Sequence, residues 1–364
     1  MKDLNNKVLL GMSGGVDSCV SALLLKQAGY EVYGVTLHLF DGRCCNEDNI
    51  LDAKKVCKSL GIEHIVLDFK EEFKEKVINN FIEEYSICRT PNPCIECNRF
   101  LKFGVMYEKA KELGIDHIAT GHYAKVEFSD EYNRYVLKKS PNTLKDQSYV
   151  LYVIEPELLE HIVFPLGDFT SKDQVRAIAK ENNLQVASKP DSEDICFITD
   201  GDYKKFLENN SNLKPKEGNI VNTKGDVLGK HNGLYNYTIG QRKGLGIAYE
   251  CPLYVLGFKP ERNEVVVGTE QELYRKELWV NDYNLLLVNE DDLKTPMKVN
   301  VKTRYSSKEY PAEIIYEDNK IHVIFDEPQA RITPGQSAVF YKDTIVVGGG
   351  KIIWHTNNIN ILLL

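Results

Sequence analysis

A chain of 364 residues with a formal net charge of -8 is long enough for two or three domains, each with its own buried core. Its acidic balance excludes a surface that binds nucleic acid by charge over its whole area, so any RNA site must be a local basic patch. The nine cysteines are too few and too scattered for a secreted disulfide scaffold. Neither a signal-peptide pattern nor a membrane-spanning apolar run is present, so the sequence predicts a cytoplasmic protein.

Short apolar strands alternate with longer amphipathic segments over the first 120 residues. The predicted strands are 8–11, 31–37, 64–68 and 117–120, and the predicted helices are 18–28, 48–60, 71–85 and 100–113. Gly29, Gly61 and Gly114 each follow the last periodic residue of a helix, where a left-handed C-cap is favoured. Repeated strand–helix units predict an α/β fold with a doubly wound parallel sheet, whose ligand binds at the carboxyl ends of the strands.

A glycine-rich turn, SGGVDS at residues 13–18, joins the first predicted strand to the first predicted helix. Because glycine has no Cβ, successive N–H groups of the turn can converge on one anion, which the dipole of the following helix also attracts. The turn lacks the Lys-Ser/Thr ending of a Walker loop. It resembles the pyrophosphate loop of the ATP pyrophosphatases, which cleave ATP to AMP and pyrophosphate while adenylating an acceptor oxygen. Six consecutive matches favour this interpretation over a simple connecting turn.

Two cysteines three residues apart, Cys94 and Cys97, lie where a proline-rich loop enters a predicted helix. Helix N-terminal N–H groups and the nearby Arg89 and Arg99 would stabilise a thiolate, so the sequence predicts a lowered thiol pKa. Half of a zinc site is the alternative, but the chain has no second CxxC or CxxH to complete it. Cys196 lies far along the chain between acidic and apolar neighbours.

The other cysteines divide by their surroundings. Cys19, Cys57 and Cys251 lie in apolar or strand-like segments and are predicted to be buried fillers. Polar loop neighbours leave Cys44, Cys45 and Cys88 undecided.

The pattern changes after residue 145. Predicted helices at 146–154, 171–183 and 201–210 are followed by a glycine-punctuated stretch, 221–256, and by short β-branched runs at 264–268, 299–305, 320–325 and 337–341. These features predict a small central domain and a C-terminal β-barrel. The predicted domains are residues 1–210, 211–275 and 276–364.

A series of short motifs then becomes specific as a set. In chain order they are SGGVDS at 13–18, TPNP at 90–93 with CN at 97–98, ATGHY at 119–123, KDQSY at 145–149, SEDICFI at 192–198, YTIGQRKG at 237–244, RY at 304–305 and PGQS at 334–337. Most lie in loops, where packing alone would not dictate the residues. In this order they resemble the tRNA-specific 2-thiouridylases over nearly the whole chain.

The resemblance implies a role for each matching residue. Cys97 is the nucleophile, Cys196 carries persulfide sulfur, and Asp17 lies near the magnesium of the pyrophosphate. The ATP-binding positions are Gly11, Met12, Ser13, Gly14, Gly15, Val16, Asp17, Ser18, Leu37 and Gly121. The tRNA-contact positions are Asn92, Pro93, Cys94, His122, Lys145, Asp146, Gln147, Arg304, Tyr305 and Gln336.

The activity implied by the resemblance is ATP-dependent 2-thiolation of the wobble uridine of tRNAs of the Lys, Glu and Gln type. ATP and Mg²⁺ are the expected cofactors, and a cysteine desulfurase or a sulfur-relay protein is the expected sulfur donor. Cys94 stands where many family members have Asp, so an alternative is a [4Fe-4S] cluster held by Cys94, Cys97 and Cys196. A further alternative is another ATP pyrophosphatase that adenylates a different acceptor.

Overall fold

The computed structural model describes residues 6–41, 47–189 and 195–354, which form two compact units. Within the described residues, the first unit lies in the ranges Met1–Ile78, Pro93–Gly201 and Thr344–Val346. The second unit lies in Asn79–Asn92, Asp202–Asp343 and Val347–Leu364. The three-domain division expected from the sequence stays a prediction.

The strands of the first unit are β1 (Lys7–Gly11), β2 (Glu31–His38), β3 (Glu63–Asp68), β4 (His117–Ala119), β5 (Ala124–Ser129), β6 (Arg134–Lys139) and β7 (Ile162–Val163). Five of them form a parallel sheet in the order β3-β2-β1-β4-β7, and β5 pairs with β6 as an antiparallel hairpin. The predicted parallel sheet is therefore confirmed. Strand order reverses beside β1, which is where open α/β sheets bind their ligands.

The helices up to residue 210 belong to both units, since Asn79–Ser86 and Tyr203–Asn210 fall in the second unit. They are α1 (Val16–Gln27), α2 (Glu47–Ser59), α3 (Lys70–Phe73), α4 (Asn79–Ser86), α5 (Pro93–Glu96), α6 (Met106–Glu112), α7 (Lys172–Glu181) and α8 (Tyr203–Asn210). A π-helical stretch, Lys74–Ile78, joins α3 to α4, and a second, Cys97–Val105, joins α5 to α6. Gly29, Gly61 and Gly114 have φ of 88°, 63° and 67°, so the three predicted left-handed helix ends are confirmed.

The core of the first unit packs β1 against α1, α2 and α7. Val8 and Leu10 of β1, Val20 of α1 and Val175 of α7 are fully or almost fully buried in one cluster. Each such side chain stabilises the fold by about 1.5–3 kcal/mol relative to exposure. This packing fixes the carboxyl end of β1 against the start of α1.

The predicted helix at 146–154 is wrong, because only a short 3₁₀ turn, Ser148–Val150, forms there. The carboxylate of Asp146 accepts hydrogen bonds from Ser140 N at 2.9 Å and from Ser148 Oγ at 2.8 Å. Side chains that bond to nearby backbone in this way compete with the helical hydrogen bonds. The predicted helix at 100–113 also begins earlier, at Pro93.

The strands of the second unit follow from residue 217. They are β8 (Glu217–Val221), β9 (Val227–Asn232), β10 (Tyr254–Lys259), β11 (Glu264–Gly268), β12 (Arg275–Leu285), β13 (Met297–Lys302), β14 (Tyr310–Glu317), β15 (Lys320–Gln329), β16 (Ser337–Lys342) and β17 (Ile345–Ile353). A four-stranded sheet has the order β10-β11-β8-β9.

The remaining strands run in the order β12-β15-β14-β13-β16-β17, and pairing of β12 with β17 closes them into a barrel. The predicted central domain and C-terminal β-barrel are therefore confirmed. In the described ranges, no helix has the length and apolarity needed to cross a membrane.

Candidate active site

The turn between β1 and α1 is shaped by the hydroxyls of Ser13 and Ser18. Ser18 Oγ accepts a hydrogen bond from Ser13 N at 3.3 Å and donates one to the carbonyl of Gly15 at 3.1 Å. Ser13 Oγ accepts one from Gly15 N at 3.4 Å. The N-cap residue of α1 is Gly15, which has no side chain to cap the helix. Because the first N–H groups of a helix lack intrahelical partners, this end of α1 suits an anion such as pyrophosphate.

Two glycines allow close backbone approach at this turn. Gly14 has a φ of +70°, and a Cβ there would lie 2.2 Å from the carbonyl oxygen of Asn49. A Cβ on Gly121 would lie 3.0 Å from the carbonyl carbon of Asp17 and from Ser18 N. Both positions therefore exclude a larger residue unless the backbone moves.

The carboxylate of Asp17 has a partner on each oxygen. Tyr123 donates its hydroxyl proton to Asp17 Oδ1 at 2.8 Å, and the ammonium of Lys172 forms an ion pair with Oδ2. Lys172 Nζ also lies 5.7 Å from the centroid of the Tyr123 ring, within cation–π range. The side chain of Lys172 is only 12% exposed. The single anionic side chain of the turn is thus held in one orientation.

A second lysine, Lys189, ties the turn to α2. Its ammonium donates to the carbonyl of Gly14 at 3.0 Å, to Asp52 Oδ2 at 2.9 Å and to the side chain of Asn49. These contacts hold the glycine backbone against α2. Neither Lys172 nor Lys189 is among the site residues predicted from the sequence. Both lie in segments whose pattern is typical of an ordinary helix or loop.

A cavity of about 370 Å³ opens in the first unit beside the turn. Of the expected ATP-binding residues, Gly11, Met12, Ser13, Asp17, Ser18, Leu37 and Gly121 line it, whereas Gly14, Gly15 and Val16 do not. Of the expected tRNA-contact residues of this unit, Pro93, Cys94, His122 and Gln147 line it. Cys97 and Cys196 line it too, so one cavity contains both the turn and the expected reactive cysteines.

An aromatic cluster forms another part of the wall. Phe40 stacks on Phe73 with ring centroids 5.5 Å apart, and Phe73 meets Phe197 edge-to-face at 5.8 Å. Phe197 is buried and directly follows Cys196, which is half-buried. Its packing therefore anchors the chain next to that thiol.

The CxxC cysteines lie at the start of the helical segment that contains α5. Cys94 belongs to α5 and is exposed, whereas Cys97 begins the π-helical stretch and is buried. The predicted position of the pair, at a helix start, is confirmed. π-Helical turns occur frequently at functional sites. The lowered thiol pKa stays a prediction.

Three regions of the chain each match a domain model. Residues 6–200 match a tRNA methyl transferase HUP domain, 204–269 a tRNA methyl transferase PRC-barrel domain, and 275–352 an aminomethyltransferase beta-barrel domain. The tRNA-specific 2-thiouridylase MnmA of Acetivibrio thermocellus is 52% identical over 95% of this chain and 99% of its own length. That of Clostridioides difficile is 49% identical over 96% and 98%. The chain belongs to the tRNA-specific 2-thiouridylase family.

Similarity to solved structures is weaker than this family match. The NMN synthetase of Francisella tularensis is 17% identical, with a TM-score of 0.34, over 52% of this chain and 67% of its own length.

His122 is a buried member of the expected tRNA-contact residues of the thiouridylase family. Its Nδ1 lies 2.7 Å from the hydroxyl of Thr120, and its ring packs against Phe103 and Phe164 with centroids 6.0 Å away from each. Burial, and to a smaller extent the charge of Lys102, hold the pKa of His122 well below its usual range. His122 is therefore a neutral hydrogen-bonding group near pH 7.

The family segment 145–147 divides into residues with different surroundings. Gln147 is fixed by two bonds to Tyr123, whose N donates to Gln147 Oε1 at 2.9 Å and whose carbonyl accepts from Gln147 N at 2.8 Å. Asp146 is buried, and its carboxylate accepts hydrogen bonds from Ser140 and Ser148. Lys145 is half-buried and does not line the cavity. Only Gln147 of the three lines the cavity.

The remaining expected tRNA contacts of the family lie in the second unit. Gln336 Nε2 donates to the carbonyls of Thr90 at 2.8 Å and Pro91 at 3.3 Å, next to Asn92 in sequence. Arg304 Nη2 donates to the carbonyl of Ile239 at 3.0 Å. Arg304 and Gln336 thus make internal contacts that shape the surface.

Tyr305 differs from these two residues in its exposure. Its side chain is 40% exposed, and Lys302 Nζ lies 5.6 Å from the centroid of its ring. An exposed ring beside a cation suits contact with a nucleobase.

The other cysteines differ from the cavity pair in their environment. Burial raises the pKa of Cys19 to about 12, that of Cys57 to about 11 and that of Cys88 to about 11. Their thiols stay protonated near pH 7 and are poor nucleophiles. The prediction of buried fillers is confirmed for Cys19 and Cys57, whereas Cys251 is half-buried. Cys44 and Cys45 lie outside the described residues.

The cavity is lined by the residues that the sequence predicts to hold magnesium or an iron–sulfur cluster. Within residues 6–41, 47–189 and 195–354, no three His, Cys, Asp or Glu side chains are grouped to hold a metal ion. The [4Fe-4S] cluster held by Cys94, Cys97 and Cys196 stays a prediction. Mg²⁺ commonly takes one carboxylate together with substrate phosphates, and Asp17 offers that carboxylate at the turn.

Proposed function

We propose that this chain thiolates C2 of the wobble uridine in tRNAs of the Lys, Glu and Gln type, using ATP to activate the base. The single observation that carries the proposal is that the pyrophosphate-loop residues, Cys97 and Cys196 line one cavity. The reaction requires that ATP reach the C2 oxygen of uridine and that the sulfur carrier reach C2 itself, so both must bind in one place. The names of the family's curated relatives support tRNA as the substrate.

Activation of the base is the first proposed step. The C2 oxygen of uridine attacks the α-phosphorus of ATP, the bond to the β-phosphate oxygen breaks, and pyrophosphate leaves. The pyrophosphate would bind to Ser13, Ser18 and the start of α1. The free N–H groups at the start of a helix bind anions. Asp17 would hold Mg²⁺, which supplies charge neutralisation on the phosphates.

Sulfur transfer follows activation. The terminal sulfur of a Cys196 persulfide attacks C2, and the C2–oxygen bond breaks so that AMP leaves with that oxygen. The Cys97 thiolate then attacks the Sγ of Cys196, which releases the base-bound sulfur with the electron pair of the S–S bond. The products are 2-thiouridine and a Cys97–Cys196 disulfide, which an external thiol must reduce by two electrons.

The target base must leave the anticodon stack to reach the cavity. Such extrusion costs a few kcal/mol and less in a loop than in a duplex. Gln147 and His122 are held by internal bonds at the cavity wall, so they can meet the base without prior rearrangement. We expect the fixed amide of Gln147 and the neutral imidazole of His122 to hydrogen-bond to the extruded uracil.

One assay tests the proposed function. Purified protein is incubated with a tRNA-Glu transcript, Mg-ATP and a persulfide donor, and the tRNA is digested for mass detection of 2-thiouridine. Pyrophosphate release is followed in the same reaction. We expect both products, with pyrophosphate release dependent on tRNA. Release of pyrophosphate without tRNA would favour an ATP pyrophosphatase with another acceptor.

The sulfur donor is tested in the same assay. We propose a cysteine desulfurase, acting directly or through a relay protein, because Cys196 is only half-buried and so accessible to a donor. Preloading with such a donor should leave one extra sulfur on Cys196 in the peptide mass spectrum. Transfer to a different cysteine would contradict this assignment.

A further inference from the structure

Three of the exposed cations of the second unit lie on two neighbouring segments, and the proposed chemistry does not use them. Arg242 and Lys243 lie in the YTIGQRKG segment, and Arg331 lies between β15 and β16. None of the three forms an ion pair with a carboxylate in the part of the chain that the structure describes. The chain as a whole has a net charge of -8. We call these three residues the basic turn.

Backbone and side-chain hydrogen bonds fix the shape of the segment. Gly240 N donates to the carbonyl of Val255 at 2.8 Å, and Val255 N donates to the carbonyl of Gln241 at 3.0 Å. The side chain of Gln241 accepts from Thr238 N and donates to the carbonyl of Lys243, each at 3.1 Å. Arg242 and Lys243 are therefore presented from a pre-organised loop.

A glycine brings the third cation onto the same loop. Gly240 has a φ of +82°, and a Cβ there would lie 2.7 Å from Cγ of Arg331. The side chain of Arg331 thus crosses the loop at a place where only glycine leaves room. This close approach places Arg331 beside the segment that contains Arg242 and Lys243.

Arg304 links the basic turn to the exposed ring of Tyr305. Its guanidinium donates to the carbonyl of Ile239, which precedes Gly240, and also to the hydroxyl of Thr333, two residues after Arg331. Both parts of the basic turn are therefore held by one side chain. The neighbouring Tyr305 is exposed and has Lys302 against its ring. Cations and an aromatic ring thus lie on connected backbone within the second unit.

We propose that the basic turn is a phosphate-binding site for the sugar–phosphate backbone of tRNA. The inference rests on the proposed function, since that supplies tRNA as the partner. Guanidinium groups bind phosphate oxygens in a bidentate manner, and a fixed loop loses little entropy on binding. Three cations without carboxylate partners on an acidic protein match the local basic patch that an RNA site requires.

The test compares charge-neutral variants with a matched control. Arg242→Gln, Lys243→Gln and Arg331→Gln each remove one cation, whereas Lys224→Gln removes an exposed, unpaired lysine elsewhere in the second unit. Binding of a fluorescent tRNA-Glu transcript is measured by anisotropy between 50 and 300 mM salt. Each basic-turn variant should bind roughly fivefold more weakly near 0.15 M salt, with the slope of log K against log salt reduced by about 0.9. The Lys224 variant should match the wild type.

Steady-state thiolation gives a second readout. The basic-turn variants should raise KM for tRNA and leave kcat unchanged, because phosphate contacts position the tRNA without touching the reacting atoms. Unchanged circular dichroism and melting temperature establish that the exposed substitutions leave the fold intact.

Two results would overturn the inference. The first is a triple variant with wild-type tRNA affinity and salt slope. The second is unchanged tRNA binding with loss of thiolation only when a protein supplies the sulfur, which would assign the basic turn to the donor protein. Failure of the proposed function looks different, because wild-type protein would then bind tRNA without forming 2-thiouridine.

Discussion

Lys172 forms an ion pair with Asp17 across 155 positions of sequence and brings the start of α7 to the pyrophosphate loop. Lys172 is mostly buried, whereas Asp17 is about one-third exposed. Truncation of either partner would remove this ion pair while the other charge stays partly desolvated. The ion pair therefore stabilises the first unit and also orients the carboxylate of Asp17, the expected magnesium ligand.

We expect Asp17→Asn to abolish tRNA-dependent pyrophosphate release, because an amide lacks the negative charge that would hold Mg²⁺ at the phosphates. Loss of the ion pair with the mostly buried Lys172 should also lower the melting temperature. A double variant, Asp17→Asn with Lys172→Met, should regain stability but not activity. Lys180→Ala, on the same helix, is the control and should leave both properties unchanged. Wild-type pyrophosphate release by Asp17→Asn would refute the role of the turn.

Gly14→Ala and Gly29→Ala separate backbone strain from steric exclusion. Both glycines have positive φ, at +70° and +88°, so each substitution costs about 1–3 kcal/mol of stability. Only the Cβ at Gly14 meets another backbone atom, whereas nothing lies within 4 Å of a Cβ at Gly29. We expect Gly14→Ala alone to weaken ATP binding by more than tenfold in calorimetry. Equal loss in the two variants would mean that strain, not the contact with Asn49, limits the site.

Cys97→Ser and Cys196→Ser should each eliminate 2-thiouridine, since each thiol takes part in a different bond exchange. At least one variant should still release pyrophosphate with tRNA, because activation precedes sulfur transfer. Mercury-gel detection of thiolated tRNA, paired with measurement of AMP, distinguishes the two steps. Cys251→Ser, half-buried in the second unit, serves as the thiol control. Normal thiolation by either cavity variant would disprove the two-cysteine mechanism.

Cys94→Asp tests the role of the remaining thiol. Cys94 is exposed, and the persulfide route does not use it, so the variant should keep at least half of the wild-type thiolation rate. Air-free purification with iron and acid-labile sulfide analysis accompanies the assay. Near-stoichiometric iron in the wild type, with thiolation lost on chelation, would favour a cluster-based route instead.

Periodicity and end signals predicted the sheet of the first unit well. The apolar runs gave β1 to β4, and glycines such as Gly29 marked helix ends because their left-handed conformation is a local property. The turn at residues 13–18 and the CxxC pair were also identified from local chemistry. Only the fold shows that the turn and both cysteines line one cavity, although the family resemblance indicated a shared active site.

Sequence patterns did not predict the side-chain contacts that form between distant parts of the chain. Lys172 begins an ordinary amphipathic helix, and only the packing of α7 on α1 brings its ammonium to Asp17. Lys189 likewise gives no local sign that it contacts Gly14. The wrong helix at 146–154 has a related cause, because Asp146 bonds to Ser140, six residues earlier, in place of continuing a helix. Intrinsic helix propensity does not account for such side-chain hydrogen bonds, which compete with the helix.

The buried His122 and the half-buried His64 predict how the stability of the fold depends on pH. Burial lowers the pKa of His122 well below 6.5, and burial followed by the charge of Lys54 lowers the pKa of His64. In the unfolded chain both would bind a proton near pH 6.5, whereas in the folded chain they do so only at lower pH. Their contribution to stability is therefore complete above about pH 6.5 and is lost as the pH falls towards the folded-state pKa values.

We expect the free energy of unfolding to decrease by up to about 1.4 kcal/mol per pH unit for each histidine over that range. Urea titrations at pH 7.5, 6.5 and 5.5 measure this dependence for the wild type and for His122→Gln. The variant is expected to be less stable at pH 7.5 but to lose less stability on acidification. A wild-type stability that rises between pH 6.5 and 5.5, or an identical pH dependence in the variant, would show that His122 is not held neutral by its burial against Phe103 and Phe164.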